Sequence, residues 1–228
     1  MIRALIFDLD DTLYPEHEFV ASGYRAVAKH LSATSGMPEE DIERTIMALW
    51  TREGRRNVLP AALNHCRCES VRVEELVSVY RQHKPNIRLF PGYDDLLREL
   101  RSAYRLGIIT DGVPPVQRAK CAALGLEEIV DSIICTWEYG KEKEKPHPYS
   151  FCLQMACLQV QPDEALFIGD NWEKDCLGAR GVGMRCVQVQ SPLLQHGGGR
   201  RGGADFVVDS LFQLPEVLRK LEDQNEAA

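Results

Sequence analysis

Short apolar runs alternate with helical patterns along most of this chain, and that alternation restricts the folds it can adopt. The first run, residues 2–9, ends in acidic residues and is typical of a buried parallel strand. Similar runs occur at 106–110, 129–135, 165–169, 184–189 and 206–208. Helical patterns lie between and after them, at 93–103, 116–124, 149–158 and 211–221. The alternation predicts an α/β fold with a Rossmann-like, doubly wound parallel sheet covered by helices on both faces.

Residues 14–85 depart from this alternation, because they carry apolar residues at helical spacing and no clear strand pattern. One helical series begins at Phe19 and is expected to stop at Gly36, and two more helices are predicted after it. We therefore expect an all-helical domain, 14–85, inserted after the first strand of an α/β domain that consists of 1–13 and 86–228.

The composition and charge restrict the classes of molecule that the protein is expected to bind. The 228 residues are 44% hydrophobic and 27% charged, as in an ordinary globular protein. The formal net charge of -7 offers no overall basic surface, so we expect no nucleic acid partner. No apolar stretch approaches the roughly 18 to 20 residues that cross a bilayer, so we expect no membrane contact and a cytoplasmic location.

The eight cysteines raise the question of disulfides or metal binding. We expect reduced thiols, because the chain is long and shows no export signal. The segment His65-Cys66-Arg67-Cys68 suggests a zinc site, but the second ligand pair that zinc requires is not found.

Three carboxylates collect where the first predicted strand ends, in Asp8-Leu9-Asp10-Asp11-Thr12. Carboxylates this close repel one another unless a cation is present. Hard oxygen ligands of this kind suit Mg²⁺ together with a phosphate group. The alternative for this segment taken alone is a solvated acidic turn.

Other strand ends carry further polar residues. Asp170 follows the run at 165–169, and Asp175 lies at the start of the next helical pattern, where it either caps backbone N–H groups or completes a metal's carboxylate shell. Because strands of a parallel sheet present their carboxyl ends at one edge, Asp8, Thr110 and Asp170 are expected to lie together.

Two further elements could bind a phosphate. In Thr110-Asp111-Gly112 the threonine hydroxyl can donate to a phosphate oxygen, or else cap a turn. Lys145, which precedes Pro146, can neutralise a phosphate and a nucleophile, or else belong to a solvated lysine- and glutamate-rich loop.

In chain order these residues resemble the four motifs of the haloacid dehalogenase superfamily. The matching positions are Asp8-x-Asp10-x-Thr12, then Thr110, then Lys145 before Pro146-x-Pro148, then Gly169-Asp170 with Asp175. The resemblance covers nearly the whole chain. The helical insertion is similar to the cap of the first subclass of that superfamily, which covers the active site and restricts it to small substrates.

The resemblance implies a catalytic role for four residues. Asp8 would attack phosphorus and form an aspartyl-phosphate. Asp10 would protonate the leaving oxygen and then deprotonate the water that hydrolyses the intermediate. Thr110 and Lys145 would hold the transferring group and offset its charge.

The resemblance also implies binding roles. Asp111 and Gly112 would contact the substrate beside Thr110 and Lys145. Mg²⁺ would be held by the Asp8 carboxylate, the Asp10 backbone carbonyl and Asp170, with Asp175 as a ligand or behind one.

The function that the resemblance implies is a Mg²⁺-dependent phosphatase that hydrolyses a small phosphorylated metabolite, such as a sugar phosphate or a nucleotide. Asp10 argues against a haloacid dehalogenase or a phosphonate hydrolase, since both lack an acid at that place. A phosphomutase and a non-catalytic binding protein with the same fold remain alternatives. Glyceraldehyde 3-phosphate and pyrimidine nucleotides are substrates of such relatives, and the sequence does not choose between them, nor between a monomer and a homodimer.

Two arginine-containing segments have open roles. Residues 196–203 contain G-x-G-x-x-G, but the segment does not join a strand directly to a helix, so a surface loop is predicted instead of a dinucleotide site. Arg52, Arg55 and Arg56 either contact a second anionic group of the substrate or form a solvated helix end.

Overall fold

The computed structural model describes residues 1–54, 57–190 and 203–226. The chain divides into two compact units. The core unit comprises Met1–Pro15 and Arg88–Ala228, and the helical unit comprises Glu16–Ile87.

The helical unit contains four helices among its described residues: α1 Glu16–Ser35, α2 Glu39–Glu53, α3 Val58–Cys66 and α4 Val73–Gln82. As predicted, α1 ends before Gly36, whose φ of 75° suits a residue without a side chain. The sequence pattern did not predict α3, which contains Pro60. The proline lies in the first helical turn, where its missing N–H has no helical partner to lose. Val58, Ala62 and Cys66, each four residues apart, form the buried face of α3.

The core unit is built on a sheet of six described strands, each parallel to its neighbours. In chain order they are β1 Ala4–Phe7, β2 Arg105–Thr110, β3 Ser132–Cys135, β4 Ala165–Gly169, β5 Arg185–Val189 and β6 Phe206–Val208. Their order across the sheet is β3-β2-β1-β4-β5-β6. The predicted α/β fold with a parallel sheet is confirmed.

Strand β1 occupies the middle of this sheet, between β2 and β4. All four of its residues are buried, which explains why its sequence is continuously apolar. Phe7 pairs with Ile108 of β2 and with Ile168 of β4. The residues at the carboxyl ends of these three strands are therefore brought to one edge of the sheet.

Five helices of the core unit are described: α5 Tyr93–Arg101, α6 Pro114–Ala123, α7 Pro148–Leu158, α8 Leu177–Gly181 and α9 Leu214–Glu226. Both α6 and α7 begin at a proline, whose fixed φ suits the first helical position. The helix predicted from residue 211 starts with a 3-10 turn, Leu211–Gln213, in which the Ser210 hydroxyl accepts the Phe212 N–H. None of the helices in the described part of the chain is long and apolar enough to span a bilayer.

The expectation that every cysteine is reduced is wrong for one pair. Cys176 and Cys186 form a disulfide, with their Cα atoms 5.3 Å apart. Cys186 lies in β5 and Cys176 directly follows Asp175, so the bond ties the segment that carries Asp175 to the sheet. The sequence separation of ten residues gave no indication of this pairing, which depends on how the segment packs beside β5.

The six other cysteines are free and differ in exposure. Cys152 and Cys157 are exposed, whereas Cys66, Cys68, Cys121 and Cys135 are buried. Burial raises the pKa of Cys121 to about 12 and that of Cys135 to about 11, which disfavours the reactive thiolate.

Thiol titration tests the disulfide. We expect the native protein to react rapidly at two thiols, Cys152 and Cys157, because the other free cysteines are buried. Unfolding without reductant should release six thiols in total, and unfolding after reduction should release eight. Eight thiols in the unfolded, unreduced protein would contradict the pairing of Cys176 with Cys186.

Candidate active site

Asp8 lies directly after β1, at the edge where the three central strands end. Its backbone N–H donates to the Ile168 carbonyl at 2.9 Å, which continues the pairing of β1 with β4. The residue is only 7% exposed. Its Oδ2 accepts a hydrogen bond from the Thr12 hydroxyl at 3.3 Å, four residues further along the chain.

Three aspartates converge at this edge. Carboxylate oxygens of Asp8, Asp170 and Asp175 all lie within 4.8 Å of one another. Asp8 follows β1 and Asp170 follows the neighbouring strand β4, as the strand-end argument predicts. Asp175 reaches the same place from the next turn of chain and is 1% exposed.

A single π-helical turn, Trp172–Cys176, delivers Asp175 to this group. Asn171 caps the turn, because its side-chain oxygen accepts the N–H groups of Glu173 and Lys174 at 3.0 and 3.1 Å. Asp175 therefore does not serve as the N-terminal cap, which was one of its two predicted roles. Its Oδ2 instead accepts the Asn171 N–H at 3.0 Å.

Gly169, the last residue of β4, leaves the space that Asp175 occupies. A Cβ atom at position 169 would lie 2.3 Å from Asp175 Oδ2 and 2.6 Å from its Cγ, much closer than real contacts allow. The glycine that precedes Asp170 is therefore required for the approach of Asp175.

The electrostatics of the three aspartates favour a bound cation. Burial raises the pKa of Asp8 well above its ordinary value, and the negative charges of Asp175 and Asp170 raise it further, although Lys145 opposes this. Burial and then Asp175 raise the pKa of Asp170 to about 7. A cation at this place would stabilise the charged forms of both carboxylates.

Lys145 is the positive charge of the cluster. Its side chain is 3% exposed, and its Nζ donates to Asp8 Oδ1 and, at 2.7 Å, to Asp175 Oδ1. Burial alone would lower the pKa of Lys145, but the carboxylates of Asp175 and Asp8 raise it above its ordinary value. The lysine is therefore charged at neutral pH and compensates part of the negative charge around it.

Asp111 fixes the backbone that carries Lys145. Its Oδ1 accepts the Thr136 hydroxyl at 2.8 Å and the Lys145 N–H at 3.0 Å, and its Oδ2 accepts from Lys174 Nζ at 3.4 Å. Both oxygens of the Asp111 carboxylate therefore already accept hydrogen bonds from other groups of the protein. The prediction that Asp111 contacts a substrate stays a prediction, and such a contact would involve its main chain.

Gln117 lies against both Thr110 and Gly112. The Thr110 hydroxyl donates to Gln117 Oε1 at 3.1 Å, and both residues are buried. A Cβ atom at Gly112 would lie 2.5 Å from Gln117 Nε2, and the φ of Gly112 is 132°, so this position requires glycine. If the Gln117 amide turned over, its Nε2 would donate to Thr110 and leave the hydroxyl hydrogen for a substrate oxygen.

Asp10 is held apart from the three clustered carboxylates. Its Oδ1 and Oδ2 accept from Lys120 Nζ at 2.7 and 2.8 Å, and Tyr14 also donates to Oδ1. The Asp10 side chain is 25% exposed, whereas that of Lys120 is 3% exposed. Among the predicted site residues, Asp8 and Asp175 therefore contact Lys145, whereas Asp10 contacts Lys120.

Comparison with known proteins places the chain in a family. A sequence profile of the haloacid dehalogenase-like hydrolases matches residues 2–183, most of the chain. The protein belongs to this family. It is 29% identical to the glyceraldehyde 3-phosphate phosphatase of Methanopyrus kandleri, over 97% of this chain and 99% of that protein.

Solved structures of haloacid dehalogenase-like proteins share the fold. A phosphatase of this kind from Thermococcus onnurineus is similar with a TM-score of 0.63 and 26% identity, over 95% of this chain and 98% of that one. A 2-haloacid dehalogenase from Pseudomonas syringae pv. Tomato is similar with a TM-score of 0.67 and 25% identity, over 96% of this chain and 99% of that one. Because the fold is common to both chemistries, the site residues must distinguish them.

Sequence reasoning missed Gln117 and Lys120 of this hydrolase. Both lie on the buried face of α6, together with Val116 and Cys121. The available signal was two polar residues at positions where the helical pattern calls for apolar ones. A buried polar residue requires a partner, so this pattern could have suggested that the face meets other polar groups.

The arginine-containing segments lie mostly outside the described residues. This applies to Arg55, Arg56 and residues 196–202. Arg52 is described, and its exposed side chain forms an ion pair with Glu53. That geometry is what a solvated helix end predicts.

Replacing Lys145 tests the charge balance of this hydrolase's buried cluster. The Lys145→Met variant should lose about 3 kcal/mol of unfolding free energy in the absence of divalent cations, because Asp8 and Asp175 keep their burial without their cation. Urea-induced unfolding in chelator measures the loss.

Lys220→Met provides the matched control for this variant. Lys220 pairs with Glu216 on the surface of α9 and is 57% exposed, so its replacement should change stability by no more than about 0.5 kcal/mol. Equal losses in the two variants would show that Lys145 does not compensate the buried carboxylates.

Proposed function

We propose that this hydrolase is a Mg²⁺-dependent phosphatase that removes the phosphoryl group from small phosphate monoesters by way of Asp8. The observation that carries the proposal is Asp10, a partly exposed carboxylate two residues after Asp8 with both oxygens held by Lys120. The similarity to a glyceraldehyde 3-phosphate phosphatase along nearly the whole chain supports it.

Asp10 distinguishes phosphate ester hydrolysis from dehalogenation. A halide leaves as a stable anion, so its departure needs no proton donor. The alkoxide of a phosphate ester is a poor leaving group and departs readily only when an acid protonates it. Hydrolysis of the ester therefore requires a carboxyl group beside the nucleophile, whereas release of a halide does not.

The proposed reaction proceeds in two displacements. In the first, an oxygen of Asp8 attacks phosphorus, the bond from phosphorus to the ester oxygen breaks, and that oxygen takes a proton from Asp10. In the second, water attacks the phosphorus of the aspartyl-phosphate, Asp10 takes a proton from the water, and the bond to Asp8 breaks. The enzyme returns to its starting state, and the products are an alcohol and inorganic phosphate.

Lys145 and Thr110 support the transferring group in this proposal. The ammonium of Lys145 already contacts Asp8, so it lies where negative charge would accumulate during both displacements. The Thr110 hydroxyl, at the end of the strand next to β1, would donate to a phosphoryl oxygen. We propose that Asp111 and Gly112 contact the same group through their backbone.

The residues at the sheet edge fit Mg²⁺. Asp8, Asp170 and Asp175 supply hard oxygen ligands from a buried site with excess negative charge, and the Asp10 carbonyl is proposed as a further ligand. When bound, the ion offsets the charge of the phosphoryl group, so that an anionic nucleophile can approach it.

The proposed substrate is a small phosphorylated metabolite. Glyceraldehyde 3-phosphate is the first candidate, because a relative at 29% identity acts on it according to its name. We further propose that 14–85 forms a cap domain and that 1–13 and 86–228 form the core domain. The protein is proposed to act in the cytoplasm as a monomer or homodimer. The disulfide between Cys176 and Cys186 would be unusual in that compartment.

Phosphate release tests the proposed function. With Mg²⁺, the protein should release phosphate from glyceraldehyde 3-phosphate or another member of a panel of sugar phosphates, nucleotides and phosphoserine, and chelator should stop the release. Asp8→Asn should abolish turnover while the protein stays folded, because the change keeps the volume and removes the nucleophile.

Asp163→Asn is the matched control, since Asp163 is exposed and precedes the amino end of β4, the end opposite to Asp170. It should retain full activity. Release of halide from 2-haloacids without release of phosphate would contradict the phosphatase proposal. Transfer of phosphate within a sugar phosphate, without release, would establish the phosphomutase alternative instead.

A further inference from the structure

Lys120 is a buried lysine with an unusual position for its residue type. It lies on α6 between buried neighbours and is 2% exposed. Burying an ammonium group is costly unless a partner offsets its charge. A leucine or methionine at this position would cover the sheet without that cost, so the charge itself requires an explanation.

The ammonium of Lys120 is directed at Asp10. Its distances to Oδ1 and Oδ2 of Asp10 are 2.7 and 2.8 Å, so both carboxylate oxygens are bound by one donor. Two bonds to one nitrogen restrict rotation of the carboxylate about its last single bond. Tyr14 donates to Oδ1 as well, and the Lys120 nitrogen lies 6.0 Å from the centre of the Tyr14 ring.

We propose that Lys120 is a positioning residue: when Asp10 is protonated, Lys120 binds one oxygen of its carboxyl group and so orients the other, which carries the proton that passes to the leaving oxygen. The inference rests on the proposed phosphatase function and extends it to a residue outside the four motifs. Lys120 acts through Asp10, the carboxylate that its ammonium binds.

A second contact of α6 supports this role. Gln117 lies one helical turn before Lys120 and bonds the Thr110 hydroxyl at 3.1 Å. The same buried face of one helix therefore holds the side chains of Thr110 and Asp10, which belong to different strand ends. A face that only covered the sheet would not need two polar side chains aimed at two proposed site residues.

The test uses substrates with different demands for an acid. A simple alkyl phosphate, such as glycerol phosphate, requires protonation of its leaving oxygen, whereas the oxygen of p-nitrophenyl phosphate leaves as a stable anion. The value of kcat/KM reports the steps up to formation of the aspartyl-phosphate. A defect in the proton donor therefore lowers kcat/KM for the alkyl phosphate more than for the aryl phosphate.

Lys120→Met should reproduce this selective loss. We expect kcat/KM for the alkyl phosphate to fall about 10- to 100-fold, because a misoriented acid loses much of its catalytic advantage. The fall for the aryl phosphate should be much smaller. In an Asp10→Ala background, the same lysine change should alter kcat/KM by less than about twofold, because no carboxyl group remains to be positioned.

Lys174→Met is the matched control. Lys174 also pairs with an aspartate near the site, Asp111 at 3.4 Å, but it is 47% exposed and does not contact Asp10. Its replacement should leave the ratio of the two kcat/KM values unchanged. Thermal unfolding of each variant verifies that the compared proteins are folded.

The outcomes separate this inference from the proposed function. If the wild-type protein hydrolyses neither these two phosphates nor any compound of the metabolite panel, the proposed function fails and the role of Lys120 fails with it. If the wild type is active but Lys120→Met lowers both kcat/KM values by the same factor, Lys120 is only structural. Additive effects of Lys120→Met and Asp10→Ala would likewise overturn the inference while leaving the phosphatase function intact.

Discussion

The close approach of Asp8, Asp170 and Asp175 is the constraint on which the rest of the site depends. Three carboxylates within 4.8 Å of one another, two of them buried, repel strongly, and only part of that charge is offset by Lys145. Several local features keep the three carboxylates together, among them the glycine at position 169, which leaves room for Asp175. A site that concentrates negative charge in this way is suited to bind a divalent cation together with a phosphate group.

Two buried lysines bind different aspartates at the end of β1. Lys145 contacts Asp8, the proposed nucleophile, and Lys120 contacts Asp10, the proposed acid and base. The two carboxylates are only two residues apart in sequence, yet they have different partners. This separation gives two residues of the same type different chemical environments, which their different roles require.

The sequence predicted the central strands β1, β2 and β4 well because they are almost entirely buried and therefore nearly continuously apolar. It also placed Asp8 and Asp170 correctly at neighbouring strand ends, since a parallel sheet collects its carboxyl ends at one edge. It missed α3, the disulfide, and the contacts of Lys120. The disulfide depends on how its segment packs beside β5, and the contacts of Lys120 join residues 110 positions apart; no local pattern of residues records either. The sequence also did not reveal that Asn171, and not Asp175, caps the next turn. Which residue serves as the cap depends on the backbone of that π-helical turn.

The central claim is that Asp8 carries the phosphoryl group during turnover. The most direct measurement is to quench a single turnover in acid, reduce the protein with borohydride and map its peptides by mass spectrometry. Borohydride reduces an acyl phosphate to an alcohol, so an aspartyl-phosphate becomes homoserine. We expect homoserine at position 8, only when substrate and Mg²⁺ were present. Substrate-dependent phosphate release with no reduction at position 8, or with reduction at another aspartate, would contradict it.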